Sequence, residues 1–245
     1  MPALGLDEGQ AGMSAPPRSW FFVPGDSERK LAKGDGSGAD ALILDLEDAV
    51  AASRRPLARG IIAEYLAARA GTARRPRFWV RINPLDGEGL TDAAVVRAAP
   101  DGLAIPKVAG PAELLRISHW PEALEARDGI APGSVKLLSV ATETPAAVLQ
   151  LPDYARVPVP RLAGLTWGAE DLPAAIGAAG NQDGSGAMAL TYRMARSHCL
   201  LATVAAGVQP IDTLEPDFRD EAALRAACAT ARREGFTGKI AIHPA

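Results

Sequence analysis

Three acids crowd into four residues at Asp45-Leu46-Glu47-Asp48, where the apolar run from Ala41 to Leu46 ends. A charged side chain in that position is costly to bury unless it is paired or bound, which makes it a candidate for chemistry. The pattern recurs. Arg81-Ile82-Asn83-Pro84 closes the run from Phe78, Pro106-Lys107 follows Leu103 to Ile105, and Thr142-Glu143-Thr144 follows Val135 to Ala141. Gly168-Ala169-Glu170-Asp171 follows Leu162 to Trp167, and His243-Pro244 ends the last run. Glu143 and Asp171, with no thiolate or imidazole beside them, offer hard oxygen donors of the kind Mg²⁺ or Mn²⁺ takes. Such an ion keeps several waters, and those positions are where a substrate carboxylate and its neighbouring oxygen could chelate. The competing reading makes Glu143 a first-turn acid and Asp171 a helix cap. At least one of Asp45, Glu47 and Asp48 is expected to meet a cation or a metal-bound water, against the alternative of solvated turn acids. Arg81 either pairs with a neighbouring acid or grips a carboxylate ligand, and both can hold at once. His119 and His198 lie in helix-like segments and read as structural, and His243 reads as a hydrogen-bonding residue outside the first ring of contacts. No Gly-x-Ser-x-Gly elbow occurs and neither cysteine has a nearby histidine, so nucleophilic hydrolysis has little support.

The elements that must position these residues are short apolar runs alternating with Ala-rich, charge-speckled helical segments, the pattern of βαβ units around a parallel sheet. Eight such runs occur: Trp20 to Val23, Ala41 to Leu46, Phe78 to Ile82, Leu103 to Ile105, Val135 to Ala141, Leu162 to Trp167, Val208 to Asp212 and Lys239 to Ile242. Between them, Pro56 to Arg69 carries Leu57, Ile61, Ile62, Tyr65 and Leu66 on one face, with Arg55, Arg59 and Glu64 outside. A second helix is expected from about Ala187 through Ala206, capped by Gly207, with Met188, Tyr192 and Ala195 in its packing. Eight repeats in 245 residues predict an α/β fold, a TIM-type (β/α)8 barrel whose site gathers at the strands' C-terminal ends. A doubly wound open sheet is the alternative, weakened because Val23-Pro24-Gly25-Asp26-Ser27 is no dinucleotide-binding fingerprint. Residues 1–17 are expected to be a flexible tail and 18–245 a single catalytic barrel. The sequence stops at Ala245 directly after the eighth run, so the expectation is a barrel lacking its final covering helix. An apolar strand face left bare implies a homo-oligomer, with the surface beside the eighth strand covered by another subunit. Gly180 to Gly186 is the one loop that looks mobile.

Composition narrows the function classes. The 26 basic and 29 acidic residues leave a formal charge of −3 with no basic stripe, which argues against nucleic acid as a partner. No run reaches the roughly 18 apolar residues of a membrane helix, and the first residues lack an export signal, so a cytoplasmic location is expected. Cys199 and Cys228 sit in helix-like segments without metal-type spacing and are expected to be small buried hydrophobes.

Five motifs resemble the citrate lyase beta subunit and malyl-CoA or citramalyl-CoA lyase group of the HpcH/HpaI aldolase superfamily. They are Arg18-Ser19-Trp20-Phe21-Phe22-Val23-Pro24-Gly25, the stretch Ala39 to Val50 around Asp45-Leu46-Glu47-Asp48, Val80-Arg81-Ile82-Asn83-Pro84, Thr142-Glu143-Thr144, and Trp167-Gly168-Ala169-Glu170-Asp171-Leu172. Gly235 to Lys239, leading into Ile242-His243-Pro244, extends the likeness to the end of the sequence. The resemblance implies a Mg²⁺-dependent barrel that cleaves or forms a carbon–carbon bond between a coenzyme A thioester and a small oxo acid. It implies Glu143 and Asp171 as metal ligands, Arg81 as the arginine on substrate oxygens, and Glu47 and Asp48 as the acidic pair beside the metal water. Arg18, Lys30 and Lys107 then stand where basic residues could meet coenzyme A phosphates or the acyl oxygen. Members of the family usually continue past the Ile-His-Pro element with a segment that in several relatives carries the proton-transferring acid. The leading expectation is a lyase for citryl-, malyl- or citramalyl-CoA. The alternatives are a class II pyruvate-type aldolase acting on free oxo acids, a relative that hydrolyses or condenses the thioester, and a non-catalytic thioester-binding paralogue.

Overall fold

The computed structural model describes residues 15–71 and 76–244. Eight parallel strands close in chain order: β1 (Ser19–Pro24), β2 (Ala41–Asp45), β3 (Arg77–Arg81), β4 (Gly102–Ile105), β5 (Lys136–Val140), β6 (Leu162–Thr166), β7 (Gln209–Asp212) and β8 (Gly238–Ala241). The ring shuts where β8 pairs with β1 in register from Ser19↔Lys239 to Phe21↔Ala241. Around it lie α1 (Glu28–Asp35), α2 (Arg55–Ala67), α3 (Gly89–Ala93), α4 (Pro111–Asp128), α5 (Pro145–Gln150), α6 (Asp171–Ala175), α7 (Leu190–Ala205) and α8 (Glu221–Glu234). Each expected run is a strand, its ends displaced by at most one residue because ladder pairing, not hydropathy, sets them. Among the described residues no helix follows β8, and none is long and apolar enough to cross a membrane.

Strand alternation sorts the apolar side chains into two cores. Trp20, Ile43, Trp79, Ala104, Leu138, Ile211 and Ile240 fill the barrel. Phe21, Leu42, Leu44, Phe78, Val80, Leu103 and Leu137 face outward into the shell of helices. Trp20 and Trp79 meet edge to face with centroids 5.1 Å apart, a favourable quadrupole geometry. A side chain at position 102 would stand 2.3 Å from the Trp79 ring, so Gly102 is what lets the indole lie across the lumen. The same parity places the charges. Asp45 follows Ala41 and Ile43 on the inward face of β2, Arg81 follows Trp79 on β3, and Asp45 and Arg81 are direct register partners. The inward columns of both strands therefore end in opposite charges at the mouth.

Several expectations need correcting. Residues 1–14 of the expected tail lie outside the described residues, and Pro17 is buried, its carbonyl accepting from Trp20 Nε1 at 3.1 Å and Gln209 Nε2 at 2.7 Å. That contact belongs to the closed N-terminal end of the barrel. In α2, Leu57 is exposed and Ala58 takes the inner position, while Arg59 turns to the buried Asp92 at 2.6 Å. Cys199 is fully buried, as expected, but Cys228 is exposed on α8, which buries only Ala231. Within the Gly180 to Gly186 loop, Asp183 Oδ1 accepts from Ser185 N at 2.9 Å and Ser185 Oγ at 2.6 Å. Tyr192 and Ala195 are buried in α7, and Gly207 just beyond it adopts the left-handed φ of +70° that ends a helix.

Candidate active site

At the C-terminal mouth of β2 to β5, two basic side chains are outnumbered by acids. Arg81 spans Asp45 with both arms of its fork, Nε to Oδ1 at 2.7 Å and Nη2 to Oδ2 at 2.6 Å, and its Cζ lies 4.6 Å over the Phe22 ring. Asp45 also accepts the main-chain N–H groups of Glu47 and Ala49, each at 3.0 Å. Its carboxylate is saturated, so Arg81 is locked in place. Only Arg81 Nη1 remains, 3.0 Å from Glu47 Oε2 and 3.6 Å from the exposed Asp48. Lys107 Nζ reaches Glu47 Oε1 at 2.8 Å and stands 3.7 Å from Asp48. Glu47 Oε2 is buried without a hydrogen bond, because the approach of Arg81 Nη1 falls outside bonding geometry despite its distance. Burial pushes the Glu47 carboxyl above its usual range, against the pull of Arg81 and Lys107.

Glu143, three residues beyond β5, is 2% exposed, and among the described residues its one hydrogen bond comes from the main-chain N–H of Lys107. Burial pushes its carboxyl up to about 8, and the charges of Asp171 and Glu47 add to the push. The space it occupies depends on Gly168, where a Cβ would stand 2.8 Å from Glu143 Cγ. Thr144, not Glu143, caps α5 through a bond from Ala147 N at 3.1 Å. Glu143 therefore does no helix-capping work. Asp171 is the half-buried first residue of α6 and caps nothing, since Glu170 holds the cap position without a side-chain bond. Of the residues singled out from sequence, the structure brings Arg81, Glu47, Asp48, Lys107 and Glu143 into one cluster, with Asp171 close enough to bias the ionisation of Glu143 and Lys107.

Others lie elsewhere. Arg18 is 86% exposed at the N-terminal end of β1, paired with Asp40, and so at the opposite end of the barrel from the cluster. Lys30 is exposed in the first turn of α1, its N–H held by the Ser27 cap. His243 stacks on Phe218 with centroids 4.2 Å apart, in an open groove with Leu224 and Cys228. His119 and His198 are exposed on α4 and α7.

The sequence reading passed over Asp212, although it ends the seventh apolar run as Glu47 and Glu143 follow theirs. Asp212 accepts from Trp167 Nε1 at 2.8 Å, Arg196 Nε at 3.0 Å and Lys239 Nζ at 3.3 Å. Through Trp167 it anchors the start of the loop that carries Asp171. Those partners hold its carboxyl below the usual range despite burial.

The mouth suits a hard divalent cation on its donor chemistry, with clustered carboxylates and one buried carboxylate oxygen lacking a hydrogen bond. Among the described residues no group of three or more His, Cys, Asp or Glu side chains is placed to hold a metal ion by itself.

The profile of the HpcH/HpaI aldolase/citrate lyase family matches residues 18–244. The chain is 37% identical over 237 residues to a (3S)-malyl-CoA thioesterase of Cereibacter sphaeroides, covering 96% of this chain and 76% of that protein. It is 33% identical to the citrate lyase subunit beta of Haemophilus influenzae, covering 93% and 76%. The crystal structure of protein CitE from Mycobacterium tuberculosis in complex with magnesium and acetoacetate superposes with a TM-score of 0.77 at 27% identity, covering 93% and 85% of the two chains. A family profile spanning the whole barrel, on a chain whose acidic mouth lies within that match, leaves one conclusion: the chain belongs to the HpcH/HpaI aldolase/citrate lyase family.

Proposed function

We propose that this chain is a Mg²⁺-dependent carbon–carbon lyase acting on a small 3-hydroxyacyl-CoA such as citryl-, malyl- or citramalyl-CoA. The observation that carries the reading is the buried Glu143 and Glu47, one Glu47 oxygen without a hydrogen bond and Asp171 near enough to act on Glu143, beside the locked Arg81. In this reading Glu143 and Asp171 hold the cation, and Glu47 and Asp48 order the water around it. The bound ion supplies a Lewis acid for the substrate oxygens. The chain's own contribution is orientation. Asp45 fixes the Arg81 fork, and Nη1 is left to face the oxygen on which negative charge develops. In the cleavage direction the 3-hydroxyl loses its proton, the bond between C2 and C3 breaks, and C3 becomes the carbonyl of the oxo acid. The electron pair passes into the thioester enolate, whose C2 then takes up a proton to give the acyl-CoA.

The thioesterase named among the relatives supports a second reading, in which the same site hydrolyses the thioester. A panel of the three thioesters with Mg²⁺ and with chelator separates them. A lyase releases oxaloacetate, glyoxylate or pyruvate with acetyl-CoA and no new thiol, whereas hydrolysis releases free coenzyme A. Turnover unaffected by chelator would defeat the metal-dependent reading in either form. We further propose a cytoplasmic homo-oligomer. The exposed stripe Leu190, Met194, Leu201 and Val204 on α7 supports association, and sedimentation at micromolar concentration tests it.

A further inference from the structure

We propose that Lys107 is a positioning residue, whose main-chain N–H and ammonium hold Glu143 and Glu47 in the spacing a divalent cation needs. This rests on the metal site proposed above. It departs from the expectation that Lys107 meets a phosphate or acyl oxygen, because its ammonium is already committed to Glu47 at 2.8 Å.

The backbone is the first support. Lys107 follows Pro106 just beyond β4 with φ of +53°, and Ala99 is the only other non-glycine residue among those described with a positive φ. A left-handed conformation is unfavourable for a side chain with a Cβ, and such strain persists only where the surroundings enforce it. Glycine would take this conformation without strain. A lysine there keeps the strained turn and gains an ammonium, which points to use of both. The turn carries the Lys107 N–H to Glu143, which receives no other hydrogen bond among the described residues. The side chain reaches the other way, to Glu47 on the β2 side. One residue thus grips carboxylates from two different loops, and a lysine merely neutralising charge would not need the left-handed backbone.

The test uses the full chain and reads divalent cation binding directly, by Mn²⁺ electron paramagnetic resonance and Mg²⁺ calorimetry. Loss of an outer partner of a metal site typically costs 10–100-fold in affinity or activity. Lys107→Met is therefore expected to weaken Mn²⁺ binding about tenfold or more and to lower kcat with little change in KM for the thioester. Lys107→Arg should recover part of the affinity, and in a Glu47→Gln background Lys107→Met should add little further loss. Removing a nearby positive charge would by itself tighten cation binding, so unchanged or tighter binding in Lys107→Met overturns the positioning role. A rise in KM with cation affinity intact overturns it in favour of substrate contact. If Lys107→Met does not fold, the comparison of Lys107→Arg with the parent decides, and full loss of cation binding there counts against the proposal. A parent chain that binds no divalent cation sinks the site reading as well.

Discussion

Two sets of buried carboxylates in this barrel have opposite fates. Asp212, at the end of β7, is ringed by Trp167, Arg196 and Lys239, and Glu125 of α4 takes both arms of Arg161 at 2.8 and 2.7 Å with the N–H groups of Gly133 and Val135. Both carboxyls are held below their ordinary range. Glu47 and Glu143, equally buried, are pushed above it. The difference lies in the partners: donors fill both oxygens of Asp212 and Glu125, while acids outnumber bases at the mouth. A carboxylate that the protein has satisfied is part of the frame. One left short of positive charge is where an external cation gains most.

The largest effect that should follow is at Glu143. Glu143→Gln removes a proposed cation ligand while keeping size and burial, so kcat/KM for the thioester is expected to fall at least about 10³-fold, roughly 4 kcal/mol. Its melting temperature should not drop, because the Lys107 N–H still finds an amide oxygen. Asp212→Asn should show the reverse, a lower melting temperature with Mg²⁺ affinity retained. Calorimetry and thermal melts on both variants read the contrast. Equal loss of cation binding in the two would erase the distinction between frame and site.

Arg81 belongs to both sets, paired like a frame residue yet with one nitrogen facing the under-paired acids. Arg81→Lys offers a single ammonium that cannot span Asp45 and reach Glu47 together. The expected loss in kcat/KM is about 10² or more, roughly 3 kcal/mol. A value within about threefold of the parent would make Arg81 part of the frame alone.

How far the sequence reached follows the same physics. The barrel was legible because most strands are continuous apolar runs and most of those runs end in polar residues, a one-dimensional signal that parallel sheets produce. Glu143, Arg81 and Glu47 were legible for the same reason. What pairs with what was not. Asp45 and Glu47 differ by two positions, yet Asp45 is saturated by Arg81 and two main-chain N–H groups while Glu47 keeps one oxygen without a hydrogen bond, a distinction set by register and by the N–H groups of the following turn. Arg18 precedes its strand, so chain order alone sets it at the N-terminal end of β1, away from the mouth. Nothing in Ile105-Pro106-Lys107 announces the left-handed backbone of Lys107 or its pairing with Glu47.

The smallest effect tests the frame side through pH. Glu125→Gln leaves Arg161 buried beside a neutral amide that still accepts hydrogen bonds, so the cost at neutral pH should be about 2 kcal/mol, below the 3–5 kcal/mol typical when a partner is removed outright. The Arg161 fork and two backbone N–H groups depress the folded-state pKa of Glu125 beneath its unfolded value, which is about 4.3 for a free glutamate. A depressed acid contributes its full stability above the unfolded pKa and loses it as pH falls through the folded one. The stability gap between parent and Glu125→Gln should therefore be widest at neutral pH and close progressively below about pH 4.3. Urea unfolding across that range measures it, with Mg²⁺ affinity at neutral pH as the control. A gap that stays constant into acid would mean that charge contributes nothing at Glu125, and the contrast between satisfied and under-paired carboxylates would then rest on geometry alone.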